Sequence, residues 1–123
     1  MDDRTRRALS RGHLIDITTT GRGSGRPRRI EIVFHVIDGR IYISGMPGRA
    51  RSWLANMRTD PRFTFHLKGV VRADLPAVAR PITDELERRR IFAEIVKVWR
   101  NQDIETMVAH SPLVEVTIQD LAA

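Results

Sequence analysis

The chain has 123 residues, a length that suits one domain with one core over residues 1–123. It has no cysteine, which excludes a disulfide framework and any thiolate metal site and fits a reducing compartment. The net charge is +6 and 19 of the 21 basic residues are arginine, so we expect an anionic partner. No signal peptide begins the chain and no apolar run is long enough for an integral membrane span, so we expect a cytoplasmic protein.

The first half predicts three strands and a short helix after a charged arm or helix at residues 1–12. β-Branched and alternating apolar residues favour strands at 13–20, 29–37 and 40–45, and in the second of these Ile30, Ile32, Phe34 and Val36 share a face. Asp38-Gly39 is typical of a two-residue hairpin turn. A short helix at 51–59 ends before Pro61.

The second half predicts two strands, a long helix and a last strand. The strands are 62–68, 70–79 and 112–118, and Pro76 indicates a sheet edge or a bulge in the second of them. Thr83 can cap a helix whose apolar stripe is Phe92, Ile95, Val96 and Trp99, and 104–109 adds a helical turn or two. The class is therefore α+β, mainly β: about six antiparallel strands in a barrel or strongly curled sheet, with a short helix after the third strand and a longer one before the last.

Residues 21–29, GRGSGRPRR, form a cationic turn between the first two strands. Its glycines free backbone N–H groups to surround an anion and its arginines add charge, so it suits a phosphate, a nucleic-acid arm or a solvated loop. The glycine spacing differs from the dinucleotide fingerprint, and the Gly-Lys-Ser/Thr of a P-loop does not occur. Few aromatic residues and no known nucleic-acid motif argue against nucleic acid as the partner.

A second candidate is the loop of residues 44–53, SGMPGRARSW, which ends at a helix N-terminus that could attract an anion. Trp53 could flank a planar ligand or pack in the core. The four histidines lack metal spacing, so no metal is expected. His35 and His66 lie opposite the main apolar faces as barrel or surface residues, and the run 88–90 is expected to be solvated.

Together these stretches resemble the deazaflavin (F420)-dependent nitroreductase family. Residues 18–28 read TTTGRGSGRPR, against the TTTGRxSGxPR of that family. Asp38-Gly39-Arg40 with Tyr42, Ser44-Gly45, Trp53-Leu54 with Asn56, and Asp60-Pro61-Arg62 follow in its order and spacing. The match covers residues 14–69 well and the remainder by architecture.

The resemblance implies a split β-barrel of the flavin-reductase type, a single-domain oxidoreductase with the deazaflavin F420 as cofactor. Its reaction would transfer a hydride between reduced F420 and a small-molecule acceptor such as a quinone, an enone or a nitro compound. The alternatives are a reductase that binds FMN on the same barrel and a non-catalytic binder of a cofactor or lipid. Relatives with this barrel often form homodimers, so a homodimer is one expected assembly.

The resemblance also implies which residues would bind the cofactor. Val33 and Tyr42 mark a departure, since relatives often have tyrosine at the position of Val33 and Tyr42 is the single tyrosine here. Gly23 stands where many relatives carry a second basic residue, and Arg26 and Arg29 could compensate. The phosphate and acidic tail would lie against Arg22, Ser24, Gly25 and Arg28, with Pro27 in the same cofactor-binding turn and Arg49 or Arg51 near the tail. Ile32 and Val33 would face the tricycle, and Ser44, Gly45 and Met46 would lie along it. Trp53 and Asn56 match the helix contacts of the family. Ser44 is the candidate proton donor, by family position.

Overall fold

Six strands close into one antiparallel barrel, in the order β1-β2-β3-β6-β5-β4. The computed structural model describes residues 1–49 and 51–119, so Ala50 and the last four residues of the predicted domain lie outside the described part. The predicted fold class is confirmed there. The strands are β1 (Leu14–Thr20), β2 (Pro27–Ile37), β3 (Arg40–Ser44), β4 (Arg62–Lys68), β5 (Arg72–Pro81) and β6 (Leu113–Ile118).

The β2–β3 hairpin forms as its sequence predicts. Asp38 and Gly39 have φ values of 53° and 76°, the left-handed backbone that a two-residue turn of this kind requires. β2 begins at Pro27, two residues earlier than predicted, because Thr20 pairs with Pro27 and extends the β1–β2 ladder up to the cationic turn. The turn therefore projects directly from the end of a rigid hairpin.

Pro76 lies at a local edge of β5 on its β6 side, one of the two predicted alternatives, and no bulge forms there. β5 pairs with β4 from Arg72 to Val78 in one unbroken register, and also with β6. The carbonyl of Pro76 accepts the backbone N–H of Gln119 at 3.0 Å. This side of Pro76 therefore faces the chain just past Ile118, the last residue of β6 that pairs with β5. The missing N–H of Pro76 points to this same side, so it leaves the β4–β5 ladder intact.

Alternating side chains fill the barrel interior. Phe63, Phe65 and Leu67 point inward as predicted, and Phe34 packs edge-on against Phe65 at 5.1 Å between ring centroids. Ile30 lies near the start of β2 and is 37% exposed, so the face predicted for Ile30, Ile32, Phe34 and Val36 is not buried along its whole length. The interior also includes Ile15, Ile17, Ile41, Ile43, Val114, Val116 and Ile118.

Four helices surround the barrel: α1 (Asp3–Leu9), α2 (Ser52–Thr59), α3 (Glu85–Ile95) and α4 (Ile104–His110). Asp84 rather than Thr83 caps α3, because the Asp84 carboxylate accepts the backbone N–H of Glu87 at 2.8 Å. The helix ends at Ile95, so the predicted stripe through Trp99 runs past its end into a turn. α3 and α4 pack on the outer side of the barrel around the buried Tyr42.

No helix in residues 1–49 and 51–119 is long and apolar enough to cross a membrane. The same residues contain no group of three His, Asp or Glu side chains placed to hold a metal ion.

Candidate functional site

The cationic turn has a defined backbone. Gly21 N–H donates to the Arg26 carbonyl and Gly25 N–H donates to the Gly21 carbonyl, both at 2.8 Å. Gly25 has a φ of 69°, which strains any residue with a side chain. Ser24 Oγ accepts the Arg26 N–H at 3.1 Å, which leaves its hydroxyl proton available for a ligand. The turn is therefore shaped before any ligand binds.

Asn56 on α2 fastens this turn to the body of the protein. Its Oδ1 accepts the backbone N–H of Arg22 at 3.1 Å and an Nη1–H of the same residue at 3.4 Å. Its Nδ2 donates to Thr19 Oγ1 at 3.0 Å on β1. Asn56 is 3% exposed, so its amide is committed to these bonds. The residue acts by positioning Arg22, a role that its motif alone does not reveal.

The arginines of the turn differ in their availability. Arg29 Nε donates to Asp16 Oδ2 at 2.9 Å, so its charge is already paired. Arg26 and Arg28 are exposed, and their guanidinium groups have no hydrogen-bond or ion-pair partner within the described part of the chain. Arg22 and Arg28, together with Arg26, are therefore the cations of the turn that can meet an anion directly.

A cavity of about 710 Å³, here called the turn cavity, lies between the turn and α2. It is lined at one side by Arg22, Ser24, Pro27 and Arg28 and at the other by Asn56. Gly25 is the one predicted phosphate-side residue outside this lining. The remaining lining residues of the turn cavity are Thr19, Gly21, Gly23, Arg29, Ile30, Ser52 and Trp53.

A second cavity of about 410 Å³, here called the loop cavity, lies beside the β3–α2 loop. Ile30, Ser52 and Trp53 line both cavities, so the two are adjacent, and together we call them the groove. The loop cavity is also lined by the residues predicted to face or lie along the ring: Ile32, Val33, Ser44, Gly45 and Met46. Arg49 and Arg51, one or the other predicted near the tail, line this cavity as well, whereas Asn56 lines only the turn cavity. Glu31 and Trp99 complete the lining.

Trp53 is both a core and a groove residue. It is 7% exposed and belongs to the interior cluster, yet its remaining surface lines both cavities. The two interpretations left open by the sequence therefore describe the same side chain. Its position at the junction lets a single planar group contact it from either side of the groove.

Ser44 is buried, and its hydroxyl donates to the Pro112 carbonyl at 2.6 Å. This bond ties the end of β3 to the segment between α4 and β6. Proton donation by Ser44 stays a prediction, and it would require the hydroxyl to give up this partner.

Arg51 lies over Gly45 and shapes the loop. A Cβ at Gly45 would come within 2.9 Å of Arg51 Nη2, so glycine leaves room for the guanidinium. Arg51 Nη2 donates to the Met46 carbonyl at 2.7 Å, while its buried Nε has no partner among the described residues. Burial and then the neighbouring charge of Arg49 lower the pKa of Arg51. Because burial and Arg49 both disfavour the charged form of Arg51, an anion or an electron-rich oxygen beside its guanidinium would be stabilising.

Trp99 is a groove residue that the sequence analysis placed on the apolar stripe of the long helix. Because α3 ends at Ile95, Trp99 lies in a turn, and its ring meets His35 edge-on at 4.7 Å between ring centroids. His35 is 7% exposed, and burial lowers its pKa to about 4, so it is neutral near pH 7. Residues 96–99 contain no glycine or proline to mark the end of the helix, and the apolar periodicity continues to Trp99. The sequence therefore does not mark this turn.

The groove joins an apolar end to a cationic end. Isoleucine, valine, methionine and tryptophan side chains line the loop cavity beside Arg49 and Arg51. Arg22 and Arg28, which have no ion-pair partner among the described residues, line the turn cavity. Such a site suits a ligand with a flat apolar group at one end and phosphate or carboxylate groups at the other. These residues fit F420, whose tricycle carries a phosphate and an acidic glutamyl tail.

The comparisons with known proteins agree with this geometry. The family model for F420H(2)-dependent quinone reductase matches residues 2–119. A conserved hypothetical protein, Rv2991 from Mycobacterium tuberculosis, shares 19% identity at a TM-score of 0.69, over 97% of this chain and 81% of that one. An F420-H2 dependent reductase, FDR-A, shares 21% identity at a TM-score of 0.63, over 85% and 93%. A FAD-binding protein from Mesorhizobium loti shares 15% at 0.61, over 98% and 91%.

At these identities the solved structures show the shared fold, and the family match carries the assignment. It confirms the recognition of a deazaflavin-dependent family, the enzyme class and the cofactor. The chain belongs to the F420H2-dependent quinone reductase family, an oxidoreductase family whose cofactor is F420.

Proposed function

We propose that this chain reduces a quinone, or a similarly activated enone or nitro compound, with a hydride from F420H2 bound along the groove. The adjacency of the turn cavity and the loop cavity, which share Ile30, Ser52 and Trp53, carries the proposal. It lets one ligand place its acidic end at the turn and its flat end at the loop.

Arg22, Arg28 and Ser24 would hold the phosphate and acidic tail. Charge-assisted hydrogen bonds contribute roughly 1.5–3 kcal/mol each, and micromolar affinity requires about 8 kcal/mol. Two or three such bonds would therefore supply a large share of the binding free energy. Because Asn56 fixes the backbone of Arg22, little ordering of the turn would oppose binding.

Ile32, Val33, Met46 and Trp53 would hold the tricycle by apolar contact and exclude water from its faces. When bound, F420H2 supplies a hydride. The task of the chain is to orient the two reactants and to stabilise the charge that forms on the acceptor.

Hydride addition to a quinone leaves a negative charge on one oxygen, which then takes a proton from water to give the hydroquinone. Arg49 and Arg51 line the loop cavity and would stabilise that charge. Among the described residues of this lining, Glu31 has the only carboxyl group, and it forms an ion pair with Lys68. Ser44 is the remaining candidate donor, on the condition that it releases Pro112.

The test is the steady-state oxidation of F420H2 by a naphthoquinone, a cyclic enone and a nitroarene. We expect turnover with at least the quinone, and a loss of kcat/KM when Trp53 is changed to Ala. Saturable F420 binding without turnover on any acceptor would instead favour a non-catalytic cofactor-binding protein.

A further inference from the structure

A third cavity, of about 330 Å³, lies on the far side of Arg49 and Arg51 from the turn. These two arginines line both this cavity and the loop cavity. Arg58 from α2, Arg88 from α3 and His110 from α4 also line it. We call it the arginine pocket; its other lining residues are Leu54, Pro81, Ile82, Thr83, Ala109, Ser111, Pro112 and Leu113.

The charge of the arginine pocket is uncompensated. Four arginines line it, and none of its described lining residues is an aspartate or glutamate. Nearby acids are paired elsewhere, since Glu87 binds Arg80 at 2.6 Å and Glu85 binds Arg89 at 3.3 Å. These acids therefore pair with arginines outside the pocket, and no aspartate or glutamate among the described lining residues faces the four arginines of the pocket.

Arg88 is built into the pocket wall, contrary to the expectation that run 88–90 is solvated. Its guanidinium donates to four carbonyls, those of Val108 and Ile82 at 2.8 Å, Met107 at 3.3 Å and Ser111 at 2.5 Å. It also lies 5.3 Å from the ring centroid of Phe92. These contacts fix a half-buried cation and leave one of its five N–H donors without a partner in the described part of the protein.

Two pKa shifts describe the same concentration of positive charge. Burial and then Arg58 lower the pKa of Arg88, and burial and then Arg49 lower the pKa of Arg51. Neighbouring cations thus oppose each other here, and a bound anion would relieve that repulsion.

We propose that the arginine pocket binds a carboxylate or phosphate group of the acceptor substrate, so that the natural acceptor is an anionic molecule. This rests on the proposed function for the placement of the cofactor. If the acidic end of F420 occupies the turn cavity, the arginine pocket lies at the opposite end of the groove, beyond the loop cavity. An acceptor with its reactive carbonyl in the loop cavity could then extend its anionic group past Arg49 and Arg51.

The first experiment needs no cofactor. Inorganic phosphate is titrated calorimetrically into the Arg22→Ala/Arg28→Ala variant, which removes the two cations of the turn. Adding Arg58→Ala should weaken phosphate binding at least fivefold. Adding Arg72→Ala should leave it unchanged, because Arg72 is exposed and lies about 30 Å along β5 from Pro81 of the pocket. Equal phosphate affinity with and without Arg58, or no phosphate binding, would overturn the pocket.

The second experiment identifies the source of the anion. A carboxylated naphthoquinone and its neutral amide are compared as acceptors for F420H2. We expect the carboxylate to have the higher kcat/KM, and Arg58→Ala to reduce the ratio of the two at least fivefold. An unchanged ratio would overturn the assignment to the acceptor. Failure of F420 binding itself would refute the proposed function without affecting the phosphate result.

Discussion

The side-chain Oδ1 of Asn56 accepts the backbone N–H of Arg22 at 3.1 Å, which joins helix α2 to the cationic turn between β1 and β2. The two residues are 34 positions apart in the chain. Because the other end of the same amide is bonded to Thr19, the turn cannot shift relative to α2 without breaking buried hydrogen bonds. Asn56 therefore fixes the position of the turn against α2, while the backbone bonds within the turn fix its shape.

Replacing Asn56 with alanine should therefore affect both stability and binding. Loss of its bonds leaves Thr19 Oγ1 and the Arg22 N–H without their partner, which costs about 1–3 kcal/mol of unfolding free energy. We expect F420 affinity to fall several-fold as well, because the turn must then be ordered on binding. Urea unfolding and F420 titration measure the two effects.

Thr59→Ala is the matched control on the same helix, since its exposed hydroxyl bonds to the Ala55 carbonyl at 3.3 Å and does not touch the turn. It should leave F420 affinity unchanged. An Asn56→Ala variant with normal F420 affinity would show that the turn does not need this anchor.

Gly12 should be intolerant of a side chain. A Cβ there would lie 2.5 Å from the carbonyl oxygen of Phe34, a backbone atom that cannot move aside cheaply. We expect Gly12→Ala to lower the unfolding free energy by about 1–3 kcal/mol, as overpacking does. Gly23→Ala is the comparison, because its Cβ meets no atom within 4 Å. Chemical denaturation measures the unfolding free energy of both variants. A Gly12→Ala variant as stable as Gly23→Ala would contradict this prediction.

His35 should make stability depend on pH below neutrality. Burial lowers its pKa from 6.5 to about 4, so between these values the unfolded state binds a proton that the folded state does not. The stability is fully present above pH 6.5 and is lost as the pH falls toward 4, by about 3 kcal/mol in all. Asp38, Glu94 and Lys97 line the cavity beside it and do not change this sign.

His35→Phe should flatten the part of the pH profile between 6.5 and 4, relative to wild type. Thermal unfolding across that range measures the slope, and His110→Gln serves as an exposed control. A profile as steep in His35→Phe as in wild type would mean that other groups carry the acid dependence.

F420 binding should weaken steeply with salt. The tail-side contacts are exposed and ionic, with Arg28 unpaired, so dissolved ions screen them. A titration series from low to high sodium chloride should show a larger loss for F420 than for FMN, which has one phosphate and no acidic tail. Equal salt slopes would indicate that the tail does not touch the turn.

Most of the barrel could be predicted from the sequence because its signals are local. Alternation placed Phe63, Phe65 and Leu67 inward, and Asp38-Gly39 set the hairpin register. Pro76 indicated an edge or a bulge, and the choice between the two could not be made locally because it depends on where β6 ends. Trp99 was predicted to lie on the helix because the apolar period continues past Ile95, where the helix ends.

The family motif brings out the candidate site residues, and most of them line the two adjacent cavities. The hydrogen bonds between these residues could not be predicted from the sequence. Nothing local in the sequence shows that Asn56 holds Arg22, that Ser44 donates to Pro112 or that Arg88 is wrapped by four carbonyls. Such bonds join residues far apart in the chain, so they depend on tertiary packing. The arginine pocket could not be predicted from the sequence for the same reason, since its lining residues come from separate elements.

The most direct test of the account is a fluorescence titration of F420 into wild type and the Arg22→Ala/Arg28→Ala variant, with FMN run beside it at the same salt. We predict saturable binding that prefers F420 over FMN, weakened at least tenfold by the double substitution, which corresponds to about 1.4 kcal/mol. Equal F420 affinity in the two proteins would remove the cationic turn from the site. A preference for FMN would contradict the placement of an acidic tail at that turn.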